Sequence, residues 1–228
     1  MKLNSKYDKA YFAYQREMGE FGGWAELSKF TRYLREGDAV LDFGCGGGYL
    51  LNSLKNTTKA GLEINSEARK VCAALGLTVY SEKSEIPFGK FDVIISNHAL
   101  EHCARPFDEI LELKKKLKPE GRMVFFVPCE SSRVGYSPND PNHHLYTWSP
   151  MNLGNLFSEA GMEVISCGPF NHRWPPGYAI ISRFFGRNGF ELFCRIYGLY
   201  KRNVITQTYC LAQLKCADLQ ASEPVMDL

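Results

Sequence analysis

The chain has 228 residues, enough for one elaborated domain with a sizeable core, and its 45% hydrophobic and 23% charged residues are those of a globular protein. Its 27 Lys and Arg against 25 Asp and Glu leave a net charge of +2, which excludes the basic footprint of a nucleic-acid binder. The Lys114-Lys115-Lys116 run sits among Ile110, Leu111, Leu113 and Leu117 and reads as a solvated helix face. No stretch approaches the roughly 18 apolar residues of a membrane span. Met1 to Asp8 lacks the apolar core of a signal peptide. The 8 cysteines are scattered, with no Cys-x-x-Cys pair, which predicts a reducing, cytoplasmic setting and no metal site built from thiols.

In chain order, Tyr7 to Leu34 reads as helical with an interruption at Gly22-Gly23. Ala39–Phe43 is a short apolar run ending in glycines, a buried strand. Tyr49–Leu54 follows as a helix, and Lys59–Ile64 as a second strand. Ser66 is placed to cap the helix Glu67–Leu75, and Gly76 to stop it. Leu77–Tyr80 is a third strand, and Phe91–Ser96 a fourth, almost wholly apolar as a central parallel strand should be. Pro106–Leu117 reads as a helix, Pro119-Glu120-Gly121 as a turn and Arg122–Val127 as a fifth strand. Ser149 and Pro150 open a helix that runs to Ala160, and Met162–Cys167 is a sixth strand. Ile180–Tyr200 is mostly helical with a break near Gly186, Val204–Leu214 is the last strand, and residues 217–228 are a flexible tail. Strands alternating with helices predict an α/β fold with a mostly parallel sheet covered on both faces. Ligands of such sheets bind beyond the carboxyl ends of the strands, where strand order reverses.

That place is Asp42-Phe43-Gly44-Cys45-Gly46-Gly47-Gly48. Glycines let the backbone turn tightly and let a ligand approach main-chain N–H groups. A dinucleotide turn would need a third glycine at position 49, which is Tyr49, and Asp42 would repel a phosphate. An acid there suits a cationic ligand such as an amino group or a sulfonium. Glu63, about 20 residues beyond the first glycine, is placed to accept hydrogen bonds from ribose hydroxyls.

With these residues the chain resembles the class I S-adenosylmethionine-dependent methyltransferases. Val40-Leu41-Asp42-Phe43-Gly44-Cys45-Gly46-Gly47-Gly48 is similar to their first motif. Phe91-Asp92-Val93-Ile94-Ile95-Ser96-Asn97 with Leu100-Glu101-His102 is similar to their fourth-strand motif, and Leu117-Lys118-Pro119-Glu120-Gly121-Arg122 to the turn into their fifth strand. The resemblance covers roughly residues 37 to 168. It implies a Rossmann-like three-layer sandwich around a seven-stranded sheet, mostly parallel with an antiparallel last strand. The expected organisation is a single methyltransferase domain over residues 1–216, with a helical cap at 1–36 and a helical insertion at 170–203. S-adenosyl-L-methionine would be the cofactor and S-adenosyl-L-homocysteine the product. The resemblance assigns Asp42, Gly44, Cys45, Gly46 and Gly48 to the methionine part of the cofactor, Glu63 to the ribose, Ile64 and Glu82 to the adenine, and Asn97 and His98 to the neighbourhood of the sulfonium. A strand-end cap is the competing role for Asn97 and His98.

If the acceptor is a hydroxyl, a base should remove its proton, and histidine suits neutral pH. His143 and His144 lie in Asn139-Asp140-Pro141-Asn142-His143-His144-Leu145-Tyr146-Thr147-Trp148, after the fifth strand, and His98 after the fourth. The loop resembles the Asp-Pro-x-His stretch of methyltransferases associated with sugar and surface-polysaccharide biosynthesis. His143, then His144, with His98 in the pocket wall, are therefore the catalytic candidates; a loop histidine bonded to backbone is the alternative. A divalent site from Asp140 and these histidines needs convergent geometry that spacing alone does not supply, so no metal is assigned. The expected reaction is O-methylation of a sugar or glycan-like acceptor. The alternatives are a quinone or lipid precursor as acceptor, or a non-catalytic S-adenosylmethionine-binding protein. Tyr11, Tyr14 and Gln15 with Gly19 to Trp24 would cap the site. Phe190, Phe193, Tyr197 and Tyr200 recur at helical spacing, as a core stripe or as a peripheral contact with a lipid-linked acceptor or a second subunit.

Overall fold

The computed structural model describes residues 19–55, 57–131, 135–138, 140, 142–202 and 205–215. Seven strands form one sheet: β1 (Ala39–Phe43), β2 (Thr58–Leu62), β3 (Thr78–Tyr80), β4 (Phe91–Asn97), β5 (Leu117–Glu130), β6 (Met162–Phe170) and β7 (Ile205–Leu214). Their order is β3-β2-β1-β4-β5-β7-β6. Strands β1 to β5 pair in parallel, and β7 runs antiparallel between β5 and β6. The order reverses between β1 and β4, so the turn after β1 sits at the topological switch point.

Side chains alternate across each strand, and that alternation builds the three layers. Leu41, Ile94, Met123 and Phe125 point to one face, where they meet Ile110 and Leu113 of α4 (Pro106–Lys114) and Leu153 and Phe157 of α5 (Pro150–Glu159). Val40, Val93, Ile95, Val124 and Phe126 point to the other face. There they meet Phe30 of α1 (Leu27–Thr31) and Leu50 and Leu51 of α2 (Tyr49–Ser53). Asp42 and Asn97 share the parity of Val40 and Val93, which places both polar side chains on the α1 side at the strand ends. Helix α3 (Ser66–Ala74) follows β2, and α6 (Tyr178–Lys201) joins β6 to β7.

Several local expectations change. Gly22 and Gly23 lie inside a helical stretch at residues 19–25; the break comes at Glu26, whose N–H bonds Gly22 O at 2.8 Å. Gly23 is there for contact: a Cβ on it would come within 2.5 Å of the Tyr49 carbonyl. Asn65, not Ser66, caps α3, its side chain accepting from the N–H groups of Glu67 and Ala68. Leu117 opens β5 instead of ending α4, and the expected turn at Pro119-Glu120-Gly121 is a bulge within that strand, with Glu120 at φ 61°. Ser149 does cap α5, and α6 is broken at Gly186 (φ 61°, ψ −165°). Tyr11, Tyr14, Gln15, Asn139, Pro141 and the tail at 217–228 lie outside the described residues.

Candidate active site

The turn between β1 and α2 has Gly44, Gly46 and Gly48 at φ 74°, 53° and 74°. At Gly44 a side chain is excluded twice, by this left-handed backbone and by Ala99, whose Cβ would stand 2.4 Å from a new Cβ. The turn is tied to β2: the N–H groups of Gly44 and Cys45 both donate to Leu62 O, at 2.9 and 3.2 Å. Glu63 continues the tie, its carboxylate accepting from Gly46 N at 2.8 Å and Asn65 N at 2.7 Å.

Two adjoining cavities open on this turn. The larger, of about 770 Å³, is lined by Asp42, Gly44, Cys45, Gly46, Asn97 and His98 among others. The smaller, of about 350 Å³, is lined by Glu63, Ile64, Glu82 and His102, and shares Gly44, Gly46 and His98 with the larger. The structure thus brings together nine of the ten residues assigned to the cofactor. Gly48 lines neither cavity; it packs against Leu77 and Cys72 at the start of α2.

Asp42 is buried, and burial together with the nearby Glu63 pushes its carboxyl up to about 7. Burial also raises Glu63, although the N–H groups of Asn65 and Gly46 and the charge of Arg69 oppose the shift. Asp42 lines the larger cavity and Glu63 the smaller, and a cationic group beside Asp42 would favour its ionised form. A ligand amino group beside Asp42, with ribose hydroxyls beside Glu63, fits this donor and acceptor set.

The far wall of the larger cavity holds a polar network that crosses the whole chain. Lys29, buried in α1, donates to Gln207 Oε1 at 2.7 Å and to Asn97 Oδ1 at 3.2 Å, and pairs with Glu26. Trp174 Nε1 donates to Glu26 Oε1 at 2.7 Å. Behind them His172 Nε2 lies 3.3 Å from Glu191, which also accepts from Ser28 Oγ at 2.5 Å. Burial would raise the Glu26 carboxyl, but Lys29 and His172 outweigh it and hold the group below its ordinary range.

The histidines separate. His98 follows β4 in left-handed backbone (φ 57°), and its Nδ1 lies 3.2 Å from Oε1 of the fully buried Glu101. Burial would raise Glu101, yet the His98 hydrogen bond and neighbouring imidazoles bring it below the ordinary range. His144 bonds Glu130 through Nδ1 at 2.8 Å and turns Nε2 toward Glu101, 3.9 Å away. His143 is exposed, with its N–H bonded to Asp140 at 2.9 Å. Neither His143 nor His144 lines either of these two cavities, whereas His98 lines both.

The methyltransferase domain family matches over residues 14–167, more than half of the chain. The chain belongs to this family. It is 26% identical over 162 residues to a ubiquinone biosynthesis O-methyltransferase of Thiobacillus denitrificans, a match covering 59% of this chain and 68% of that one. It is 33% identical over 117 residues to the mitochondrial ubiquinone biosynthesis O-methyltransferase of Schizosaccharomyces pombe, spanning 43% of this chain and 42% of the relative. Among solved structures it is similar to a SAM dependent methyltransferase from Archaeoglobus fulgidus, with a TM-score of 0.65, 20% identity, and 90% and 100% of the two chains covered.

Residue order in this methyltransferase-domain chain does not point to the far wall: Glu26, Lys29, His172, Trp174 and Gln207. Glu26 and Lys29, three apart on one helical face, were the available signal. An acid and a lysine at that spacing more often form a solvated pair, whereas Lys29 is 1% exposed. The family match ends at residue 167, so three of these five residues, His172, Trp174 and Gln207, lie beyond it.

Proposed function

We propose that the chain is an S-adenosylmethionine-dependent O-methyltransferase whose acceptor is a sugar or glycan-like molecule held in the larger cavity. The observation that carries the acceptor class is the far wall, where a carboxylate, an ammonium, two amides and an indole surround one chamber. Several fixed donors and acceptors beside an aromatic ring suit a polyhydroxylated ligand better than a plain apolar one. When bound, S-adenosylmethionine supplies a methyl carbon activated by positive sulfur.

In this reading Asp42 pairs with the cofactor's amino group, Glu63 holds its ribose, and Ile64 and Glu82 flank its base. His98 stands at the seam of the two cavities and takes the acceptor proton, while Glu101 orients its ring and stabilises the imidazolium. That assignment moves the base from the loop histidines to His98, because His143 faces solvent. The segment at 1–36 is read as a cap and 170–203 as an insertion within one domain over 1–216, and their described parts line the chamber through Gly19, Gly22, Gly23, Trp174 and Tyr178.

A second reading, a hydroxylated quinone or lipid precursor as acceptor, is favoured by the names of the two curated relatives. Labelled-methyl transfer, run in parallel on nucleotide sugars, oligosaccharides and hydroxylated aromatic acceptors, separates the two. Glu26→Gln and Trp174→Ala are expected to abolish turnover on the true acceptor while leaving adenosylhomocysteine affinity unchanged. Transfer only to aromatic acceptors overturns the sugar reading, and absence of adenosylhomocysteine binding in the wild-type protein overturns both.

A further inference from the structure

Among the described residues, helix α6 packs one of its faces against the fold. Phe190, Cys194 and Gly198 are buried, Phe190 against Phe21 and Trp24, and a Cβ on Gly198 would stand 2.7 Å from the backbone of Asn171. Arg187 also turns inward, bonding Trp24 O at 2.7 Å and lying over its ring. The opposite face carries Leu192, Phe193, Ile196, Leu199 and Tyr200, all exposed, Tyr200 at 76%. Before the Gly186 break, Ile180, Phe184 and Phe185 continue this surface, with Phe184 also at 76%. Eight large apolar side chains exposed on one helix exceed the scattered singles of an ordinary surface.

The charges decide what covers them. Arg183, Arg195 and Arg202 are exposed beside the apolar residues. The one acid of the helix, Glu191, is turned to the interior against His172 and Ser28. An apolar arc flanked by arginines, with no acid on the outer side, is complementary to anionic headgroups over acyl chains. A second copy stacked face to face would bring like charges together. Among the described residues no helix is long and apolar enough to cross a membrane, so the helix would lie on the surface.

We propose that α6 docks this protein on the surface of an anionic phospholipid bilayer. Tyr178 and Tyr197 of the same helix line the larger cavity, so docking sets the mouth of the chamber at headgroup level. That an acceptor with a lipid tail enters by this route rests on the proposed function; the docking itself does not.

Co-sedimentation with vesicles reads the docking without any turnover. The full chain is expected to pellet with vesicles of phosphatidylcholine and phosphatidylglycerol, less with phosphatidylcholine alone, and less again at high salt. Phe184→Glu combined with Leu199→Glu should weaken pelleting at least about tenfold, with adenosylhomocysteine affinity and far-ultraviolet circular dichroism unchanged. Arg183→Gln with Arg195→Gln should remove the preference for anionic vesicles. Wild-type protein that stays in the supernatant with both vesicle types overturns the proposal. So does an unimpaired Phe184→Glu, Leu199→Glu variant, or a dimer in sedimentation velocity that those two substitutions dissociate.

Discussion

Asp42 offers the sharpest test of the cofactor site, because its charge state and its proposed role are coupled. Burial and the neighbouring Glu63 raise its carboxyl to about 7, so the group is about half ionised at neutral pH. A ligand ammonium beside it favours the ionised form, so below pH 7 binding must first remove a proton. Each pH unit there weakens affinity by up to tenfold, about 1.4 kcal/mol. From pH 7 to pH 5 adenosylhomocysteine affinity should fall roughly fiftyfold; the ligand's amino group stays cationic in this window, below about pH 7.7. Asp42→Asn should flatten the profile. At pH 7 it should weaken binding by about 2–4 kcal/mol, the scale of an ion pair near 4 Å at intermediate dielectric. The sign for stability is the reverse. A raised carboxyl contributes no penalty below its unfolded value near 3.8, and its full penalty appears only above about 7. The ligand-free Asp42→Asn protein should therefore be the more stable one at pH 8, by up to about 4 kcal/mol. Isothermal titration across pH 5 to 7 and thermal denaturation at pH 8 check both. A wild-type affinity that does not change over that range, or a slope that survives in Asp42→Asn, would refute the reasoning.

Adjacent glycines should separate cleanly in urea denaturation. Gly23→Ala drives a methyl to 2.5 Å from the Tyr49 backbone and should lose about 1–3 kcal/mol or more. Gly22→Ala meets only ordinary contact at 3.5 Å from Trp174 and should be neutral or gain about 0.5–1 kcal/mol of helix propensity. Lys29→Met strands the buried Glu26 carboxylate and should cost about 3–5 kcal/mol, part of which Glu26→Gln in the same chain restores. His98→Asn keeps a residue tolerant of left-handed backbone. It should lower kcat about 10²–10⁴-fold with adenosylhomocysteine affinity within a few-fold of wild type, as single-turnover and titration experiments will show. An unchanged kcat removes His98 from the chemistry.

The glycine turn and Glu63 are readable from residue order because they are local features. One glycine turn joins β1 to α2, one acid directly follows the next strand, and each lies within a few residues of an apolar run that identifies its strand. Where sequence and structure differ, two adjacent signals compete. Asn65 and Ser66 are both capping residues, and only the backbone shows that Asn65 has the extended conformation a cap needs. Leu117 continues the helical spacing of Ile110 and Leu113 as well as it starts a strand, and pairing with Phe91 decides for the strand. The far wall is not readable in this way, because it is assembled from three distant segments. Lys29 meets Gln207 only because β7 inserts between β5 and β6, which carries Gln207 to the sheet end above α1.

Helix α6 shows the limit of periodicity most directly. Spacing places Phe190, Phe193, Tyr197 and Tyr200 on neighbouring arcs, and that is all a period of 3.6 can say. Which arc turns inward is settled by what it meets. Phe190 finds Phe21 and Trp24, Tyr197 faces the chamber, and Phe193 and Tyr200 are left outside. The core stripe therefore holds for one residue of the four. Gly198 adds to the choice: its bare backbone lets the helix lie close against Asn171 and His172, on the same inward arc as Phe190 and Cys194. The same packing that completes the chamber wall through Tyr178 and Tyr197 thus leaves the apolar face exposed among the described residues. Cavity and exposed surface are two results of one helix orientation, so a substitution at Gly198 should perturb both together.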